Sequence, residues 1–354
     1  MTDSRQEQFD QLLRAWPVLG ISAGFKCLPE DFVVEEQLPF ALSGEGEHAW
    51  LQVRKRDNNT EWVAAKLAEY AGVDRRAVGY AGLKDRFAVT TQWFSVYLPG
   101  RHDVDWNGFR HDGIELLTVT RHRKKLQRGA LQHNSFTIRL RDIEPGSEDS
   151  FEKLIQRCEL IRQQGVPNYF GGQRFGHGMR NLADAEAMFS HRRRRLPRHK
   201  RGLLLSAARS WIFNAILSER IRRETWNRRI EGDVFMLDGR SACFADDGSA
   251  DLDRRLDSAE IHPTAVLWGD GRTMAAGECA DLESEIVDAY PQFRQGLVDA
   301  RVEQQRRSLR VRVRDLACRR ESRDLVLSFS LQAGSYATMV LRELVELREN
   351  RPDS

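Results

Sequence analysis

GYAGLKDRFAVTTQWFSV, residues 79–96, leads two glycines into Lys84-Asp85-Arg86 and then into a run of β-branched and aromatic residues. Phe94, Val96 and Leu98 alternate, as one buried face of a strand does. Gly79 and Gly82 mark backbone that must turn or come close to another segment. Asp85 therefore stands at a strand edge between two cations. A salt-bridged surface turn has the same look, because aspartate favours turns through local hydrogen bonds. The rest of the chain decides between a turn and a chemical group.

Upstream, TEWVAAKLAEYAG (60–72) opens on an N-cap candidate, Thr60, sets Val63, Ala64, Leu67 and Ala68 at helical spacing and closes on Gly72. Downstream, IELLTVT (114–120) and the alternation of Phe136, Ile138 and Leu140 read as strands. A helix over 151–164 ends at Gly165 and Pro167, where the composition changes. From 168 the chain reads as a separate α/β module. It has the glycine-dense NYFGGQRFGHG, an arginine-rich loop, a long helix carrying Trp211, Ile212, Ala215 and Ile216 on one side, and a hairpin across Asp238-Gly239. Strand patterns resume at 309–314 and 325–331, after which Ser335 caps a helix with Met339, Val340, Leu344 and Leu347 as its apolar stripe. A tail that returns to the first domain's sheet makes residues 167–310 an insertion.

The 354 residues, 41% hydrophobic, are enough for two domains. No apolar run is long enough for a signal peptide or a membrane span, so the expectation is a soluble, cytoplasmic enzyme. Cys27, Cys158, Cys243, Cys279 and Cys318 are scattered without zinc spacing, which argues for reduced thiols and no structural metal. The net charge is only +3, but it is unevenly spread. Residues 121–141 carry seven Lys/Arg and 191–201 another seven, both without an acid; 301–314 has six arginines against one glutamate, whereas 278–288 has five acids and no base. Basic blocks offset by acidic ones fit a surface for a polyanion, and nucleic acid is the leading partner.

The common cofactor signatures are missing: no GxGxxG, no Walker A, no HExxH, no GxSxG. GGQRFG has a different glycine spacing, that of a tight loop, in which backbone amides and Arg174 are also able to hold an anion. Phe32, Phe136 and Tyr336 stand near basic or amide residues. Each alone is ordinary core, yet an aromatic ring plus an amide is how proteins grip a base taken out of its stack.

Taken together these segments resemble the TruD family of tRNA pseudouridine synthases. GYAGLKDRFAVTTQ matches that family's GxKDxxAxTxQ segment and NYFGGQRFG (168–176) its second signature, while FKCLPEDFVVEE (25–36), LQHNSF (131–136) and AGSYATMVLRE (333–343) fall in the family's order. The resemblance spans nearly the whole chain and implies isomerisation of uridine to pseudouridine at position 13, in the D-arm of tRNA, with neither cofactor nor metal. It implies an α+β fold: a catalytic domain of residues 1–166 and 311–354 with a mixed central sheet built from both chain ends, and an inserted α/β TRUD domain of residues 167–310. A basic cleft between them would receive tRNA, with no obligate protein partner.

By the same resemblance Asp85 is the carboxylate beside C1′ of the flipped nucleotide, where positive character develops as the glycosidic bond breaks. To stay ionised in a dry site it needs a cation, Lys26 by resemblance, with Lys84 and Arg86 as alternatives. Phe32 and Asn134 are expected to bind the target nucleotide and Phe136 to line the site. Tyr336 stands where the family commonly has phenylalanine, so its ring is expected to stack. His133 stands where glycine usually precedes the asparagine, which strains the backbone if that glycine is left-handed. Arg174 and the block Arg192, Arg193, Arg194 and Arg195 are the candidate contacts to RNA phosphates. Two other classes use the same residues: a non-catalytic RNA-binding or RNA-folding protein, and a metal-dependent nuclease, which wants several converging carboxylates where the motifs offer one.

Overall fold

Period-two alternation builds the sheet that carries Asp85. In the computed structural model, which describes residues 2–100, 104–190 and 196–349, the chain forms two units. One comprises Leu19–Glu159, Val313–Gly334 and Leu344–Ser354; the other comprises Met1–Val18, Leu160–Arg312 and Ser335–Glu343.

The first unit is organised on a ten-stranded mixed sheet. Its main path runs Arg314–Glu321, Asp324–Gln332, His133–Glu144, Phe32–Gln37, Val89–Tyr97, His48–Arg56, Ile114–His122. Ser22–Phe25 pairs antiparallel with His133–Glu144 and parallel with Glu346–Glu349, and Val78–Tyr80 pairs with Val89–Tyr97. The sheet thus uses strands from both ends of the chain. Phe136, Ile138 and Leu140 are buried on one face, and Phe94, Val96 and Leu98 form a core with Val63, Ala64, Leu67 and Ala68 of helix Thr60–Tyr70. Each of the valine, leucine, isoleucine and phenylalanine side chains among them contributes about 1.5–3 kcal/mol by leaving water.

The second unit has its own core around helix Arg198–Arg222, whose Trp211, Ile212, Phe213 and Ile216 pack with Phe175, Leu182 and Phe293. Beside it lies an antiparallel sheet in the order Cys243–Ala245, Val234–Leu237, Ile261–Leu267, Gln305–Ser308. No helix among the described residues is long and apolar enough to cross a membrane.

Three local expectations are corrected. The cap of helix Thr60–Tyr70 is Asn59, whose side chain accepts the Trp62 amide at 2.8 Å, leaving the Thr60 hydroxyl for other work. The expected strand 309–314 splits: Arg310–Val311 pairs with Val166–Pro167, and a different strand begins at Arg314. The last helix covers only Ala337–Arg342, with Tyr336 rather than Ser335 at its N-cap. Leu347 lies on strand Glu346–Glu349 opposite Ala23, where ladder hydrogen bonds to Ser22–Phe25 override the helical spacing of the apolar residues.

Candidate active site

Residues 81–88 run irregularly between strands Val78–Tyr80 and Val89–Tyr97, and neighbouring side chains fix them in place. Glycine is required at 79, since a Cβ there would lie 2.5 Å from the Leu126 carbonyl oxygen and 2.8 Å from Ser95 Oγ. At Gly82 a Cβ would meet nothing within 4 Å, so packing makes no such demand. The Thr60 hydroxyl donates to Gln92 Oε1 at 2.9 Å and accepts the Lys84 amide at 3.0 Å, while Gln92 Nε2 donates to the Gly82 carbonyl at 3.3 Å. Lys55, fully buried, donates from Nζ to the carbonyls of Asn58 at 2.6 Å and Asp85 at 2.8 Å. Burial pulls its pKa down to about 8, with Asp85 acting in the opposite direction.

The carboxylate of Asp85 meets Lys26. The Lys26 ammonium lies 2.6 Å from Asp85 Oδ2 and 4.2 Å from the centre of the Phe32 ring, and the lysine side chain is 7% exposed against 30% for the aspartate. Lys26 follows strand Ser22–Phe25 with a left-handed backbone, φ 53, a strain of roughly 1–3 kcal/mol for such a residue. A buried cation thus supports a carboxylate that remains partly open to solvent. The two alternative counter-charges point elsewhere: Arg86 pairs with Asp57 at 3.4 Å, and Lys84 pairs with Glu36 at 3.1 Å and donates to Asn134 Oδ1 at 2.5 Å.

The rest of the site follows from strand register. Glu36 and Asn134 are cross-strand partners, as are Val34 and Phe136. Phe32, Val34 and Glu36 share one buried face, so Asn134, Phe136 and Phe32 lie on the same side of the sheet. The Phe32 and Phe136 rings are 6.0 Å apart, and Phe136 stacks on Phe329 at 5.3 Å with 25° between planes. Burial pushes the Glu36 carboxyl pKa up, and the Lys84 charge opposes it. His133 lies in strand His133–Glu144 opposite Gln37 and Gln332 and is not among the left-handed residues, so the strain expected of it is absent.

Glu36, Lys55 and Phe329 were missed by sequence reasoning, although period two carried the signal. Ala49, Leu51 and Val53 are buried on one face of strand His48–Arg56, and the next position on that face is Lys55. Similarly, Phe32 and Val34 lead to Glu36.

Two expected residues belong to the second unit. Tyr336 accepts a hydrogen bond at its hydroxyl from Arg174 Nη2 at 3.1 Å, and Arg174 Nη1 donates to Ser206 Oγ at 3.1 Å. A Cβ on Gly171 would sit 3.1 Å from the Tyr336 ring. Arg307 lies 4.1 Å over the Phe170 ring, and burial lowers its pKa to about 10. The block Arg192, Arg193, Arg194 and Arg195 lies outside the described residues.

A carboxylate held against a buried ammonium, beside phenylalanine rings and a fixed amide, is suited to meeting cationic character at a carbon while a planar group is gripped at its edge. The family model for tRNA pseudouridine synthase D (TruD) matches residues 10–182 and 177–344. The chain is 48% identical over 340 residues to tRNA pseudouridine synthase D of Methylococcus capsulatus, covering 96% of this chain and 95% of that protein. It is 45% identical over 332 residues to the protein of the same name from Nitrosococcus oceani, covering 93% and 92%. Its fold is shared with the crystal structure of the putative tRNA pseudouridine synthase D (TruD) from Methanosarcina mazei, with a TM-score of 0.76 and 22% identity, covering 96% of this chain and 97% of the other.

Proposed function

The chain belongs to the TruD family of tRNA pseudouridine synthases, and from that premise we propose that it isomerises uridine 13 in the D-arm of tRNA, with Asp85 as the carboxylate at C1′. The observation that carries this reading is the 2.6 Å contact between a buried Lys26 and a partly exposed Asp85. The nearby cation favours the ionised carboxylate, which is the form that meets positive charge at the sugar. The N1–C1′ bond breaks with its electron pair going to the uracil, the base turns, and C5 bonds to C1′. The C5 proton is lost and N1 gains one, so the reaction is a balanced isomerisation that needs no external reductant or oxidant.

Phe32 and Phe136 supply the aromatic wall for the target nucleotide. Asn134 reads its edge in a defined orientation: an ammonium only donates, so the amide oxygen must be the atom that faces Lys84, and the Asn134 NH2 is what remains for a uracil carbonyl. The division into a catalytic domain (1–166 and 311–354) and an inserted domain (167–310), the stacking role of Tyr336, phosphate contacts by Arg174 and the 192–195 block, and a cytoplasmic location belong to the same proposal.

The test is release of tritium from an unmodified tRNA transcript made with 5-tritiated uridine. One equivalent released per tRNA, abolished when uridine 13 is replaced by cytidine, is the expected result. RNA binding without release makes the protein a non-catalytic binder. Release that persists after the replacement moves the target to another uridine.

A further inference from the structure

A surface cavity of about 280 Å³ opens beside the strand that leads to Asp85. Arg75 and Arg76 line it from one segment and Lys125 and Arg128 from another, and no carboxylate is among its lining residues. Far apart in sequence, these segments are pressed together where Gly79 meets the Leu126 carbonyl, and they are joined again by the Gly129 amide donating to the Ala81 carbonyl at 2.8 Å. Arg75 donates to the Val78 carbonyl and Lys125 to the Arg76 carbonyl, so these two head groups are steered by backbone oxygens rather than by acids. The Arg75 and Arg128 guanidiniums lie 5.5 Å and 5.7 Å from the centre of the buried Tyr80 ring, which holds both near it. Among the described residues none of the four is ion-paired.

Four cations brought together on a rigid floor without acids repel one another, and an anion relieves that repulsion. We propose that this cavity is a binding site for nucleic-acid phosphates, and that it holds the RNA backbone beside the nucleotide delivered to Asp85. Tyr80 and Asp85 are five residues apart, a reach of at most about 18 Å, so one strand of RNA is able to engage both. The choice of RNA rests on the function proposed above.

The test uses the full chain and an unmodified tRNA transcript, with binding measured over a salt series. The double variant Arg76→Ala/Arg128→Ala removes two exposed charges whose side chains form no hydrogen bond among the described residues. Each lost phosphate contact lowers the log–log salt slope by about 0.7–0.9. Between 50 and 200 mM salt the wild type should therefore lose about seven- to twelvefold more affinity than the variant. The charge-preserving pair Arg76→Lys/Arg128→Lys should restore the wild-type slope. An unchanged slope in the alanine variant overturns the site, as does a shallower slope that lysine fails to restore. Tritium release by the wild type, followed in parallel, separates the two readings. A slope change without release would sink the isomerase and leave the phosphate site standing.

Discussion

Among the described residues, Asp85 and Asp233 are each held by a buried cation, and the two pairs are built differently. In the second unit Arg220 and Asp233 have side chains 2% and 0% exposed. Arg220 donates to both Asp233 oxygens, at 2.8 and 3.0 Å, and to the carbonyls of Thr225 and Arg228, while Asp233 also accepts the Ile230 amide at 2.9 Å. That pair is enclosed, and it ties helix Arg198–Arg222 to the turn that follows it. In the sheet unit the Lys26 side chain is 7% exposed, but Asp85 is 30% exposed and the lysine has a left-handed backbone. A pair that maintains a fold satisfies itself on all sides. The role proposed for Asp85 needs a side left for the reactant and tolerates strain elsewhere.

Breaking each pair should therefore damage a different property. Asp85→Asn should lower the single-turnover rate more than about 1000-fold, over about 4 kcal/mol of barrier, with tRNA affinity and thermal midpoint nearly unchanged. A rate within tenfold of wild type would remove Asp85 from the reaction. Asp233→Ala leaves Arg220 buried without its partner and should cost about 3–5 kcal/mol in urea unfolding. A loss below about 1 kcal/mol would mean the enclosed pair is not what stabilises that unit.

Lys55 sharpens the contrast through pH. Its pKa is about 8 in the folded chain against an ordinary 10.5, so between those values the folded state binds fewer protons than the unfolded one. Stability from this group accordingly rises with pH across that window, by up to roughly 3 kcal/mol. Wild type should gain on Lys55→Met in urea unfolding between pH 7.5 and 10; a constant difference would show that Lys55 is neutral already or exposed. Asn134→Ala should raise the barrier by about 1–3 kcal/mol, read as a fall in single-turnover rate, because a base carbonyl is left unpaired in the site. No change would exclude Asn134 as a reader of the base. Tyr336→Phe removes the acceptor of the Arg174 hydrogen bond and should cost about 1 kcal/mol of stability. An unchanged urea midpoint would show that the ring alone matters.

Local spacing made the strands and helices around residues 60–98 and 134–141 readable, because there the buried face and the preferred backbone agree. The tail was misread because Met339, Val340, Leu344 and Leu347 fit one helical stripe, and only pairing with Ser22–Phe25, almost a full chain length away, makes a strand of the last of them. The site was legible as motif residues but not as a network. Lys84 precedes Asp85 directly and reads as its neighbour in charge, yet its side chain turns to Glu36 and Asn134. Lys26 closes on Asp85 from 59 residues upstream. Sequence proximity offers Lys84 and Arg86, whereas the resemblance pointed to Lys26, the cation that meets the carboxylate.

Strand Ser22–Phe25, which ends one residue before Lys26, takes Glu346–Glu349 as its parallel partner. A ribosome delivers the first of these long before the second. During synthesis the lysine's strand waits with one edge unpaired, and the sheet beside Asp85 gains its final member only when residues 346–349 emerge. Nascent chains stalled before that point are expected to hold strand Ser22–Phe25 against His133–Glu144 alone, without its parallel partner.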